Sequence, residues 1–167
     1  YGIVKSAIEK YILMEQHLHG LSPVILRASN PYGPRQGHGG VQGVVGTFLW
    51  RVAQGEPIQI WGDGSVVRDF LYVSDLAELC VLCGSTDITG IFNAGSGEGV
   101  SIRRILEVVA TVTGQEIAPV FKPGRSFDVP RVVLDISAIR KELEWRPKIE
   151  LETGIEDTWK WIRQQEK

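Results

Sequence analysis

A chain of 167 residues that is 43% hydrophobic and 23% charged has a globular composition and enough length for a real core, which we read as one domain over residues 1–167. Its net charge of −2 comes from Lys and Arg scattered among Asp and Glu, which leaves no footprint for nucleic acid and no polybasic patch for a membrane surface. No apolar run approaches the length of a membrane span.

Residues 1–19 read as a helix: Ile8, Ile12 and Glu15 follow one helical spacing, Tyr1, Lys5, Ile8 and Ile12 lie on related turns, and Gly20 stops it. Because the first residues already read as a helix, no signal peptide is expected here. The opening Tyr1, where a methionine is usual, leads us to expect that a segment has been trimmed or left out. Val24-Ile25-Leu26-Arg27-Ala28 reads as a buried strand. In Asn30-Pro31-Tyr32-Gly33-Pro34-Arg35-Gln36 two prolines and a glycine then turn the chain. Ligands of open α/β sheets sit outside the carboxyl ends of the strands, where Asn30 stands. Taken alone, the stretch reads equally as a plain strand-to-loop turn.

Gly37, Gly39, Gly40 and Gly43 suggest a mobile loop before a helix over 44–54 that ends at Gly55. A short strand over 58–61, a tight turn over 62–65 and a second extended run over 66–73 follow. Ser74 or Asp75 is expected to cap a buried helix ending near Gly84. That helix carries Cys80 and Cys83, a C-x-x-C read as two core thiols and fitting a reducing, cytoplasmic compartment. A strand over 91–94 closes on Gly95-Ser96-Gly97. Ser101 caps a helix through Thr113, ended by Gly114, with Ile102, Ile105, Leu106, Val109 and Val112 at helical spacing. A strand over 117–121 leads into a Pro/Gly loop over 122–131 carrying Arg125, Asp128 and Arg131. Asp135 or Ser137 caps a helix ending near Leu143, Pro147 breaks the chain, and a last helix covers 151–164. Helices alternating with short strands argue α/β. His17, His19 and His38 have no Cys or carboxylate at ligand spacing, so no metal site is expected.

Tyr1 and Lys5, at i and i+4, share a helix face. A phenol titrates near ~10 and is a poor base at neutral pH, and a nearby ammonium favours its phenolate, so a Tyr/Lys pair suits acid/base work on a hydroxyl. Alone, Y-x-x-x-K reads better as a solvated helix face. Arg68 and Arg125, in separate segments, could clamp a pyrophosphate with their planar forks. Alone, they read better as surface arginines with carboxylate partners.

The pair Tyr1/Lys5, then Leu26-Arg27-Ala28-Ser29-Asn30-Pro31-Tyr32-Gly33-Pro34-Arg35-Gln36, then the run from Ile60-Trp61-Gly62-Asp63-Gly64 through Arg68-Asp69-Phe70-Leu71-Tyr72 to Asp75-Leu76-Ala77, occur in that order. Together they resemble the carboxyl-terminal half of the NAD-dependent nucleotide-sugar epimerase/dehydratase family, the extended short-chain dehydrogenase/reductases. Asn93-Ala94-Gly95-Ser96-Gly97 with Ser101 is similar to the family's N-x-G-x-G-x-x-x-S stretch, and Leu143-Glu144-Trp145-Arg146-Pro147 to its L-x-W-x-P segment.

The resemblance implies an α/β fold: the substrate-binding part of an extended Rossmann-type epimerase, without the amino-terminal Gly-rich strands that bind NAD. It implies Tyr1 as catalytic acid/base, Lys5 on the nicotinamide ribose, and Ser29 beside the nicotinamide. Asn30 would bind a phosphate of the sugar nucleotide, Gln59 and Trp61 would flank the base, Arg68 and Arg125 would hold the pyrophosphate, and Asp128 would lie near the ribose. The family oxidises a sugar carbon transiently and reduces the keto sugar on its other face. Within it a 4-epimerase is favoured, because the chain shows no extra acid/base pair for dehydration. Gly95-x-Gly97-x-Gly99 is not expected to stand in for the missing NAD phosphate turn, and Gly43, with Gln42 beside it, replaces an Asn that often contacts substrate in the family. The expected ligand is a nucleotide-diphosphate sugar, a UDP-sugar first, with NAD held weakly by this chain alone. A homodimer, or docking to the missing half, is the expected assembly. A non-catalytic nucleotide-sugar-binding module, or a subunit docking on a separate NAD-binding chain, are the rival readings.

Overall fold

The computed structural model of the chain describes residues 1–37, 43–126 and 128–165. In chain order its elements are α1 (Gly2–His19), β1 (Val24–Ala28), β2 (Asn30–Tyr32), α2 (Val44–Ala53), β3 (Gln59–Trp61), β4 (Val67–Arg68), β5 (Phe70–Tyr72), α3 (Val73–Gly84), β6 (Gly90–Ala94), β7 (Val100–Ser101), α4 (Ile102–Thr113), β8 (Val120–Lys122), β9 (Arg131–Val132), α5 (Ser137–Leu143) and α6 (Leu151–Gln165). This is the expected α/β order. The expected mobile loop lies largely outside the described residues, with His38, Gly39, Gly40 and Gln42.

Local chemistry sets many of the ends. Gly20 and Gly114 take left-handed conformations after α1 and α4, at φ 65° and 66°, where a side chain would be strained. The Ser101 Oγ caps α4 by accepting the Arg104 N–H at 3.0 Å. The Asp135 carboxylate accepts the Ser137 N–H at 2.9 Å at the head of α5. Hydrogen bonds from Ser137 hold the Asp135 carboxyl below its usual range.

Other expectations are corrected. Asn30-Pro31-Tyr32 is a strand before it is a turn: β2 pairs in parallel with β5, Asn30 opposite Phe70 and Tyr32 opposite Tyr72. β1 is half-buried, with Arg27 and Ala28 exposed. The extended run over 66–73 is two strands interrupted at Asp69, and Val73 already belongs to α3. Neither Ser74 nor Asp75 caps α3; Tyr72 occupies the cap position without a side-chain bond. Only Asp75, Leu79 and Cys83 of α3 are buried, a single stripe at four-residue spacing. Cys80 therefore faces solvent and Cys83 alone is a core thiol, pushed up in pKa by burial. The strand expected over 117–121 begins at Val120. His19 does have a carboxylate nearby: its Nε2 stands 3.5 Å from Glu15. Among the described residues no group of three His, Cys, Asp or Glu could hold a metal ion, and no helix is long and apolar enough to cross a membrane.

Strand alternation divides the core. Phe70 and Tyr72 of β5 join one hydrophobic cluster with Tyr32, Leu49, Ile60, Ile105 and Ile155, while Leu71 between them joins another with Leu79, Phe92, Ile139 and Trp145. Successive side chains of a strand point to opposite faces, so three residues serve two cores. Helices α2, α4 and α6 pack on one another around the first cluster. Gly154 lets α6 approach β2, because a Cβ there would overlap the Tyr32 hydroxyl.

Asp75, 2% exposed, ties the two ends of the chain's second half together. Its Oδ2 accepts the backbone N–H groups of Lys148 and Ile149, each at 3.1 Å. Glu78, one turn on, pairs with Lys148 Nζ. The segment after Pro147 is thus fixed on α3 before α6 begins.

Helix α1 is the exception to this packing. None of its residues is buried, and Ile3, Val4, Tyr11 and Leu18 are exposed. Its recorded side-chain tie to the body is a two-pronged pair in which Arg27 Nε and Nη2 donate to the Glu9 carboxylate at 2.8 and 2.6 Å. β1 pairs on one edge with β6, Val24 opposite Gly90 through Ala28 opposite Ala94. Its other edge has no partner strand among the described residues.

Asp75→Ala leaves the half-buried N–H groups of Lys148 and Ile149 without their acceptor and should lower stability by about 1–3 kcal/mol, read from urea unfolding; a loss below about 1 kcal/mol would show that water replaces the carboxylate. Arg27→Ala should speed amide exchange throughout α1 while leaving the main unfolding transition in place. The hydrogen bond from Arg27 holds the Glu9 carboxyl below its usual range, so this tie is present above the ordinary carboxylate range and is lost as pH falls through the lowered value. Wild type and Arg27→Ala should therefore exchange alike in acid.

Candidate functional site

Asp69 sits between β4 and β5 and is 1% exposed. A carboxylate removed from water needs donors, and the fold supplies four: Ser96 N–H and Oγ–H to Oδ1 at 2.7 and 2.8 Å, and the N–H groups of Gly97 and Leu134 to Oδ2 at 3.2 Å each. Gly95 has no side chain for a physical reason, since a Cβ there would overlap the Asp69 carboxylate. The glycine run after β6 is thus a small anion nest filled by a carboxylate of the same chain. Its Ser96 and Gly97 N–H groups are engaged by Asp69.

The other polar end of Asp69 meets Asn30. The Asp69 carbonyl accepts the Asn30 backbone N–H at 3.1 Å and its Nδ2 at 2.7 Å. Ser29, where the chain passes from pairing with β6 to pairing with β5, donates its N–H to Ala94 O at 2.9 Å. Its Oγ is buried and has no hydrogen-bond partner among the described residues.

Gln59 and Trp61 are exposed on the outer face of β3, with Ile60 buried between them. The Arg125 guanidinium lies over the Trp61 ring, 4.1 Å from its centroid, a stacked cation–π arrangement. Arg125 sits in the loop after β8, and β8 pairs with β3 so that Lys122 is opposite Trp61. The Asp128 N–H donates to Arg125 O at 3.1 Å, closing that loop into a turn. Arg68 Nη1 donates to Val67 O at 2.8 Å and to Val129 O at 2.7 Å. Contacts run from Trp61 to Arg125 to Asp128; Arg68 reaches the carbonyl of Val129, the neighbour of Asp128, and Asn30 is held by Asp69, the neighbour of Arg68. The carboxylate partners that surface arginines usually take are missing: among the described residues neither Arg68 nor Arg125 lies within ion-pair distance of an acid.

The turn that follows Trp61 is anchored from below. The N–H groups of Ile102 and Arg103, which the first turn of α4 leaves unpaired, donate to Val66 O and Gly64 O at 3.0 Å each. Asp63 accepts the Ser65 N–H at 2.9 Å and its carbonyl accepts Arg103 Nη2 at 2.6 Å. Hydrogen bonds from Ser65 hold the Asp63 carboxyl below its usual range.

Tyr1 and Lys5 stand apart from this cluster. Tyr1 is 86% exposed at the head of α1, and Lys5 Nζ is 5.3 Å from its ring centroid. Among the described residues no hydrogen bond or ion pair joins Tyr1 or Lys5 to Ser29, Asn30 or Trp61. A cleft lined in part by Ser96, Gly97, Asp135, Arg140 and Arg146 contains none of the expected site residues. The sequence reading missed the structural roles of Asp69 and Asp75. An acid inside the apolar run Arg68-Asp69-Phe70-Leu71-Tyr72 was the available signal, since burial there demands donors, and the N–H groups of Gly95-Ser96-Gly97 were the available supply.

Comparison with known proteins places the fold. A 35% identical relative, dTDP-4-dehydro-6-deoxyglucose reductase of Escherichia coli, matches 98% of this chain with 52% of its own length. The crystal structure of the Thermotoga maritima UDP-glucose 4-epimerase with UDP-glucose superposes on the whole chain with a TM-score of 0.94 at 36% identity, over 54% of that protein. The Thermus thermophilus UDP-glucose 4-epimerase in complex with NAD covers 98% of the chain with 53% of its own, at TM-score 0.88 and 38% identity. The chain spans about half the length of the curated relatives it matches, and its α/β fold is that of part of a Rossmann-type epimerase domain. The ordered motifs from Tyr1 to Ala94 fall within residues 1–95, the stretch matched by the model of the NAD dependent epimerase/dehydratase family, and the chain belongs to that family.

Proposed function

We propose that residues 1–167 are a single domain, the carboxyl-terminal, substrate-binding portion of a sugar-nucleotide epimerase resembling UDP-glucose 4-epimerase, and that they bind a nucleotide-diphosphate sugar, a UDP-sugar first. The observation that carries this reading is that Arg125 lies on Trp61 and Arg68 on the carbonyl next to Asp128, two guanidiniums that no acid among the described residues neutralises, with Asn30 held by Asp69 beside Arg68. An arginine fork matches phosphate oxygens, and an exposed indole offers a stacking face. In this reading Arg68 and Arg125 hold the pyrophosphate and Asn30 a phosphate oxygen. Gln59 and Trp61 flank the base and Asp128 lies near the ribose. A cytoplasmic setting goes with it.

Tyr1 and Lys5 are the proposed acid/base pair of the longer enzyme: the Tyr1 hydroxyl takes the proton of a sugar hydroxyl and later returns it, and Lys5 steadies Tyr1 and reaches the nicotinamide ribose. NAD, when bound, supplies hydride transfer. The fit of this chain to NAD is partial. Ser29 offers a buried hydroxyl without a partner among the described residues, whereas the N–H groups of Ser96 and Gly97 are taken by Asp69. The main grip on NAD then comes from chain beyond these residues.

The uncovered apolar side chains of α1 and the open edge of β1 favour association. Unpaired strand edges and exposed apolar faces recruit another chain, here as a two-fold dimer or by docking to the NAD-binding half.

Titration calorimetry on the 167-residue chain should detect UDP and give little or no heat with NAD. A charged hydrogen bond to phosphate contributes ~1.5–3 kcal/mol, so Arg68→Ala and Arg125→Ala should each weaken UDP binding about tenfold or more. Equal binding by both variants would sink the pyrophosphate assignment, and tight NAD binding would sink the division of labour. In sedimentation at micromolar concentration the chain should run heavier than a monomer; one species of monomer mass, with slow amide exchange across residues 24–28, would rule the association out.

A further inference from the structure

We infer that Asp69 is a positioning residue: its buried carboxylate fixes the peptide whose carbonyl orients the Asn30 side-chain amide. The consequence for ligand binding rests on the reading of Asn30 as a phosphate-binding residue, but the orientation itself does not.

A primary amide can present either its oxygen or its NH₂ group to a ligand, and the difference is a rotation of the side chain. Asn30 is exposed, so packing does not choose for it. The choice is made by the Asp69 carbonyl, which can only accept and which takes Asn30 Nδ2 at 2.7 Å and the Asn30 N–H at 3.1 Å. One Nδ2 hydrogen and the oxygen of Asn30 are left in defined directions. The Asp69 carbonyl in turn is set where the regular ladder fails, at the break between β4 and β5. There the four donors from Ser96, Gly97 and Leu134 hold the residue by its carboxylate. Those donors come from the turn after β6 and from the segment after β9, and β9 pairs with β4 so that Val132 is opposite Arg68. Loosening the carboxylate therefore loosens the Asp69 carbonyl that holds Asn30.

Two variants grade the effect. Ser96→Ala removes one of the two donors to Oδ1 and keeps the backbone bond. Asp69→Asn puts an NH₂ group against donors that need an acceptor. In a nitrogen–proton correlation spectrum of the wild-type chain, the two Asn30 side-chain protons should differ, one of them bonded and slow to exchange. The exchange protection of the bonded proton should shrink in Ser96→Ala and be lost in Asp69→Asn. If both variants fold and leave the Asn30 signals unchanged, Asp69 does not position Asn30. Should Asp69→Asn fail to fold, Ser96→Ala decides by the same signals. UDP titration adds a cycle: Asn30→Ala should cost about tenfold and Ser96→Ala about threefold in affinity. The double variant should bind no more weakly than Asn30→Ala alone, because one effect acts through the other. Losses that multiply would overturn the coupling. A wild-type chain that does not bind UDP would remove the phosphate reading of Asn30, while the amide signals would still decide its orientation.

Discussion

A carboxylate buried to 1% exposure must replace the water it loses, and Asp69 replaces it with donors from two segments distant in sequence. Much of the site's geometry depends on that requirement. It brings the glycine turn after β6 against the break between β4 and β5, and it brings the segment after β9 to the same point. Gly95 is needed because any side chain there would occupy the carboxylate's place. Breaking one partner of such a cluster leaves an uncompensated charge or unpaired N–H groups, which is more costly than never having built it.

Around this point the short strand β5 works in both directions. Phe70 and Tyr72 feed the cluster under α2, α4 and α6, and Leu71 feeds the cluster under α3 and α5. The polar site residues lie along the rim of these cores. Trp61 is 46% exposed at the end of β3, and its following turn is held by the first amides of α4. Trp61 and the Arg125 lying on it thus stand on a rigid base. Helix α1 has no such base. Held to the body by Glu9 and Arg27 at the surface, it carries apolar side chains into solvent.

Much of this was legible from residues in order. Gly20, Gly55, Ser101 and Gly114 mark helix ends by local chemistry, through left-handed backbone or a side-chain cap. Asn30, Trp61, Arg68 and Arg125, the residues proposed to bind the ligand, were named through motif order. Places where the reading failed share a cause. Ser74 and Asp75 look like helix caps because caps are local, but Asp75 turns inward to the N–H groups of Lys148 and Ile149, some seventy positions on. Cys80 and Cys83 look alike in sequence; the stripe Asp75, Leu79, Cys83 buries one and exposes the other.

By itself, the sequence determined the alternation of helices and strands, the helix ends that glycine and Ser101 impose, and the family to which its motifs belong. These follow from backbone preferences and residue spacing, which act within a turn or two of chain. Only the tertiary structure decided that Asn30-Pro31-Tyr32 would pair as a strand with β5, that the glycine run would close on Asp69, and that Arg125 would lie on Trp61. Each of these needs a partner far away in the chain. Burial, which makes an unpaired carboxylate or strand edge costly, is a property of the assembled core and not of any stretch within it.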